Sequence, residues 1–228
     1  MKIIISFLIL LCNLNIFIKK PRDINLYFIR HAKGYHNEAA INFGFHQYEN
    51  HEWFDAALTD EGISQAKKLH FKIETIKPDL VYSSPFIRTI ETLKYSLGNN
   101  FNEISILLDD NVRETINGHP CNYRHGKNFI INYTKSINRT FNYDNIIDFP
   151  RCRENIPNDI IIRGNKWFTN MLLYIKNKPN IKNIIIFTHG SFIKYLLNSY
   201  HFRKLNTNSA CKSYPANVEI CPILIKSV

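Results

Sequence analysis

Three short apolar runs constrain this chain more than any other feature. Ile24-Asn-Leu-Tyr-Phe-Ile-Arg30, Asp79-Leu-Val-Tyr-Ser83 and Asn183-Ile-Ile-Ile-Phe-Thr188 are bounded by polar residues, as strands buried on both faces should be. Helical patterns lie between them. Thr59 is the N-cap candidate for a segment with Ile63, Ala66, Leu69 and Ile73 on one face. Phe86 to Tyr95 is amphipathic. Trp167 to Lys176 is apolar at helical spacing and stops before Asn177 and Pro179, and Ser191 to Leu197 follows the third run as a further helix. Strand–helix alternation of this kind predicts one α/β domain with a largely parallel sheet. Residues 115 to 158 are rich in Asn, Tyr, Arg and turn residues. They are expected to form a long irregular insertion beside the functional site. No internal repeat and no interdomain linker stands out.

Composition narrows the class. The 228 residues suffice for one well-packed domain, and 45% apolar with 21% charged residues excludes wholesale disorder. Five Cys are too few for a disulfide scaffold that replaces a core. None has the spacing of a zinc site, so no metal is expected. The formal net charge of +10 favours anionic partners. Abundant Asn, Ile and Lys point to an AT-rich coding sequence as one source of that excess, so charge alone decides nothing. A nucleic-acid binder would need a helix-turn-helix, a zinc finger or an aromatic-basic platform. None is visible, and no nucleic-acid partner is expected.

The chain opens with Lys2 and an apolar run from Ile3 to Cys12. That length suits the central region of a secretory signal and is too short to span a bilayer. Residues 1 to 20 are therefore expected to be a cleaved signal or, failing that, a membrane anchor, with the domain proper at 21 to 228. Secretion or an extracellular location follows from the first alternative, and a cytoplasmic location remains the other. After cleavage Cys121, Cys152, Cys211 and Cys221 remain, an even number that permits three pairings.

In doubly wound α/β domains ligands bind outside the carboxyl ends of the strands. Arg30 and His31, Ser83 and Ser84, and His189 all sit at such ends, with Arg88 one turn into the helix after Pro85. Taken singly, each has an ordinary reading: a surface charge, a core histidine, a solvated helix face. Together, two arginines, two histidines and helix N-termini at one point call for a tetrahedral anion, with phosphate the obvious candidate.

Ordered blocks then carry a resemblance. Arg30-His31-Ala-Lys-Gly-Tyr-His-Asn37 resembles the R-H-G/A-x-x-x-x-N signature of the histidine phosphatase superfamily, the phosphoglycerate mutase-like fold. Asp55-Ala-Ala-Leu-Thr-Asp-Glu-Gly-Ile-Ser-Gln-Ala66, Val81 to Thr92, Val112-Arg-Glu114 and Thr188-His-Gly190 follow in the family's order. Gly118-His-Pro-Cys121 with Arg124 is most similar to the phosphoglycerate mutase-like phosphatases of plants and fungi. The fold implied is a three-layer sandwich whose mostly parallel sheet is flanked by helices. The activity implied is phosphomonoester hydrolysis through a phosphohistidine, without cofactor or metal, on a phosphorylated small molecule. His31 is then the nucleophile and Glu114 the general acid–base. Arg30, Asn37, Arg88 and His189 hold the phosphate, and Arg124 and His125 reach a second anionic group. Ala32 replaces the commoner Gly, and Gly190 after His189 excludes the acid-phosphatase branch with a His-Asp pair. A phosphoglycerate mutase and a non-catalytic phosphate-binding module are the competing readings. Membrane contact is expected only if the N-terminal segment is retained as an anchor.

Overall fold

The computed structural model describes residues 22–98, 103–148, 153–205, 211 and 214–226. The N-terminal run read as a signal lies outside them, as does Cys152. Among the described residues no helix is long and apolar enough to cross a membrane. The strands are β1 (Ile24–Arg30), β2 (Leu80–Ser83), β3 (Ile106–Asp109), β4 (Phe141–Asn145), β5 (Asn183–Thr188) and β6 (Ile220–Ile225). They form one sheet in the order β4-β3-β2-β5-β1-β6, parallel throughout except that β6 runs antiparallel to β1. The helices are α1 (Tyr35–Phe43), α2 (Asp60–Ile76), α3 (Ile87–Ser96), α4 (Lys127–Thr134), α5 (Asn158–Ile175), α6 (Gly190–Leu197) and α7 (Tyr200–Leu205).

Successive strand residues feed opposite cores, which is why the three apolar runs show no polar face. Leu26, Phe28, Leu80, Tyr82, Ile184 and Ile186 pack with α5 and α6 around Trp167. The Trp167 ring meets Phe28 and Tyr82 edge-on, at centroid distances of 5.7 and 5.5 Å. Ile29, Val81, Leu108, Ile185 and Phe187 pack on the other side with Leu69 and Ile73 of α2 and Ile90 and Leu93 of α3. The result is the three-layer arrangement implied above. Fully burying one such aliphatic or aromatic side chain contributes about 1.5–3 kcal/mol, so the two cores fix the sheet as a rigid platform.

Thr59 caps α2 as the sequence predicts, its hydroxyl accepting from the Gly62 N–H at 3.0 Å. Residues 115–158 differ from expectation. They hold α4 and β4, and β4 pairs with β3 as the last strand of the sheet. Phe-Asn-Tyr-Asp-Asn buries only its first side chain, so this edge strand carries no apolar pattern to read. The helix read at Trp167 begins nine residues earlier, at Asn158. Cys211 pairs with Cys221, and Cys121 is a buried free thiol.

Candidate active site

His31 stands in a loop pinned from four directions at the carboxyl end of β1. Its N–H donates to the Thr188 carbonyl at 2.9 Å, and the Ala32 N–H donates to Thr92 Oγ1 at 3.0 Å. Lys33 N–H donates to Gln65 Oε1 at 3.0 Å, and Asn217 Nδ2 donates to the His31 carbonyl at 2.8 Å. The start of α2 presses against this loop so closely that a Cβ on Gly62 would lie 2.0 Å from the Lys33 carbonyl oxygen. Only Gly fits there.

The imidazole of His31 is 2% exposed, and its Nδ1 lies 2.7 Å from the Ala32 carbonyl. A carbonyl can only accept, so Nδ1 carries the proton and the Nε2 lone pair is left free. Burial first, then the charges of Arg88 and Arg30, hold this histidine well below its ordinary range, which keeps the ring neutral at physiological pH. A neutral imidazole with a free Nε2 is a nucleophile.

The surrounding nitrogen groups are unusual for a protein interior. Arg88 is 1% exposed, spends Nη1 on the Cys121 carbonyl at 2.9 Å, and lies 4.5 Å over the Phe86 ring. Arg30 donates from Nη1 to the Pro215 carbonyl at 2.9 Å and sits 4.9 Å over the Tyr214 ring. His189 contacts Ser84 Oγ through Nε2 at 2.8 Å, its ring 5.2 Å from that of His31. Arg30 Nε, Arg88 Nε, His36 Nδ1 and His189 Nδ1 are all buried without a hydrogen-bond partner in the protein. Buried polar groups are nearly always satisfied, and four orphans around one nucleophile are the imprint of an oxygen-rich anion. Asn37, 6% exposed, spends Oδ1 on the Gly34 N–H at 3.1 Å, which leaves its NH2 group to donate.

Glu114 completes the site from the loop after β3. It is 6% exposed, and Oε1 accepts from the Thr115 N–H at 2.8 Å, while Oε2 lies 3.5 Å from the Ser191 N–H at the start of α6. Arg113, its neighbour, pairs with Glu154 at 2.7 Å. Arg163 of α5 joins the same Glu154 at 2.8 Å and donates to the Glu114 carbonyl at 3.2 Å, so a buried ion network braces the loop. Arg30, His31, Asn37, Arg88 and Glu114 line one cavity of about 390 Å³; His189 does not line it, its ring standing 5.2 Å from that of His31.

Two of the expected residues lie away from the cavity. Arg124 is 4% exposed and points into the protein, where Nε and Nη2 grip the Asp110 carboxylate at 3.0 and 2.6 Å. His125 stacks on Phe129 at 3.8 Å, and neither residue lines the cavity. Sequence position placed both near the site, but a buried carboxylate fourteen residues upstream claims the guanidinium. Conversely, His36, Tyr48, His119 and Tyr214 line the cavity and were not anticipated. His36 alone left a trace, one turn past His31 within the same motif.

The three buried histidines make the apo protein acid-sensitive. His31, His36 and His189 are all held well below the ordinary value of 6.5, each chiefly by burial and then by Arg88. Below pH 6.5 the unfolded chain takes up protons that the folded site refuses, so stability falls as pH falls and is fully present above that value. With all three neutral, the slope reaches about 4 kcal/mol per pH unit. Thermal melts between pH 5 and 7.5 should show a steep loss below about pH 6.5, offset by added vanadate, which binds the folded state alone. A flat profile would contradict the buried, neutral triad.

A family model described as histidine phosphatase superfamily (branch 1) matches residues 26–223. The chain is 25% identical over 227 residues to a "Probable phosphoglycerate mutase" of Arthroderma benhamiae, covering 88% of this chain and 63% of that one. It is 26% identical over 216 residues to "Phosphoglycerate mutase-like protein 1" of Arabidopsis thaliana, covering 76% and 71%. The chain thus spans less than two thirds of the length of the fungal relative. Among solved structures, the ecdysone phosphate phosphatase of Bombix mori in complex with tungstate superposes with a TM-score of 0.61 at 13% identity, covering 87% of this chain and 88% of that one. Phosphoglycerate mutase from Bacillus anthracis superposes with a TM-score of 0.58 at 18% identity, covering 92% and 94%. At those identities the superpositions establish the fold.

Proposed function

The chain belongs to the histidine phosphatase superfamily, branch 1, and on that premise we propose that it hydrolyses phosphate monoesters through a phosphohistidine at His31. One observation carries the reading: a neutral imidazole with a free Nε2 stands among four partnerless buried nitrogens. In the first step Nε2 attacks phosphorus, the ester P–O bond breaks, and Glu114 gives its proton to the departing oxygen. In the second, Glu114 takes a proton from water, whose oxygen attacks phosphorus and frees Nε2 as phosphate leaves. Arg30, Arg88, His189 and Asn37 hold the equatorial oxygens and stabilise the charge of the loose transition state. The printed names of the fungal and plant relatives favour a phosphoglycerate mutase, which would return the phosphoryl group to its substrate. Products from 3-phosphoglycerate separate the two: free phosphate supports the hydrolase, and 2-phosphoglycerate the mutase.

The phosphate pocket has its own test. Vanadate should inhibit competitively, and Arg88→Ala should raise its inhibition constant by about 10²-fold, the worth of one or two charge-assisted hydrogen bonds. An unchanged constant would remove Arg88 from the pocket.

We also propose that residues 1 to 20 direct secretion. The Cys211–Cys221 disulfide supports an oxidising compartment. N-terminal sequencing of native protein should begin near residue 21, and recovery of Met1 from a soluble cytosolic fraction would refute it.

A further inference from the structure

Away from Arg30 and Arg88, the described residues lining the pocket include no arginine or lysine; the rings of Phe45, Tyr48, His119 and Tyr214 share the wall with the amides of Asn117 and Asn122. Among the described residues Arg30 and Arg88 are the arginines that line it, and one phosphate would engage both. Arg124 is committed to Asp110 and to the His125 and Ile147 carbonyls. A second carboxylate or phosphate on a substrate would find no free guanidinium and would face the carboxylate of Glu114.

Rings run outward from the nucleophile instead. His31 and His36 have centroids 5.6 Å apart, His36 and Tyr48 are 6.0 Å apart, and Tyr48 lies 5.8 Å from His119 and 6.1 Å from Phe45. Phe45 lines the mouth with 82% of its surface exposed. We propose that the preferred substrate is a phosphomonoester with one anionic group and an aromatic ring at or next to the ester oxygen, the ring packing against Tyr48 and Phe45. This rests on the phosphatase reading above. The cavity of about 390 Å³ has room for a phosphate and a ring. Tyr48 and Phe45 lie in the 3₁₀ turn Phe45–Glu49, which follows α1 directly, so the nucleophile loop and the ring-bearing turn form one continuous segment.

The test compares alkyl esters, so that leaving-group strength does not mimic ring recognition. Benzyl phosphate should surpass both 3-phosphoglycerate and butyl phosphate in kcat/KM by about tenfold or more, consistent with one or two ring contacts. Tyr48→Ala should cut kcat/KM for benzyl phosphate by about three- to tenfold, mostly through KM, with the vanadate inhibition constant unchanged. Phe45→Ala, at a position too exposed to threaten folding, should act in the same direction. Phosphate release from all three esters without preference, or a preference for 3-phosphoglycerate, overturns this inference and leaves the phosphatase reading standing. No phosphate release from any ester overturns both.

Discussion

His31→Ala should fold and release phosphate at least about 10⁴-fold more slowly than the parent, the scale on which loss of a nucleophile is felt. The drop is that large because the covalent step is lost with its nucleophile. His189 Nε2 is engaged with Ser84, burial pushes the Cys121 thiol up to about 11, and Asn37 and the arginines carry no nucleophilic lone pair, which leaves His36 as the other neutral imidazole on the cavity. The fold survives because the His31 ring hydrogen-bonds only its own next carbonyl, while the loop is held by backbone bonds to Thr188, Thr92 and Asn217 that the substitution leaves in place. Vanadate binding should persist in the variant through Arg30 and Arg88. Residual turnover within about tenfold of the parent would displace His31 from the centre of the mechanism.

Glu114→Gln separates substrates by leaving group. An alkyl alcohol departs only if protonated in the transition state, whereas nitrophenolate departs with little help. Phosphorylation of the enzyme by benzyl phosphate should therefore slow by about 10²–10⁴-fold, the usual contribution of general acid catalysis, and by nitrophenyl phosphate far less. Dephosphorylation is followed separately, since loss of the base slows that step equally for both substrates. Gln keeps the shape and the acceptor for the Thr115 N–H, and the Arg163 bond goes to the backbone, so the loop stays in place. Equal slowing of single-turnover phosphorylation for both leaving groups would assign the proton to another group.

The parts of this protein visible in its sequence are those with one physical explanation. β1, β2 and β5 are buried on both faces, so their apolar runs cannot be mistaken for a surface element. Thr59 announces α2 because an N-cap hydroxyl has one use. Arg30, His31, Arg88 and Glu114 sit at strand ends or just past them, where the topology itself makes a ligand site, and the cavity joins them. The rest depends on long-range geometry that local pattern does not encode. β4 is polar because it is an edge strand, and it joins the sheet by pairing with β3 rather than by its own hydrophobicity. Tyr48 and His119 reach the cavity from irregular turns without period. Arg124 misled for the same reason: an arginine near a phosphate motif reads as a phosphate ligand until Asp110 is seen to hold it.

The proposed reaction turns on a phosphoryl group carried by nitrogen. Rapid acid-free quenching of the full chain with radiolabelled benzyl phosphate should trap one phosphoryl group per chain, stable in alkali, lost in acid, and mapping to the peptide that contains His31. A label stable in acid, a label on any other peptide, or a label that survives His31→Ala would contradict it.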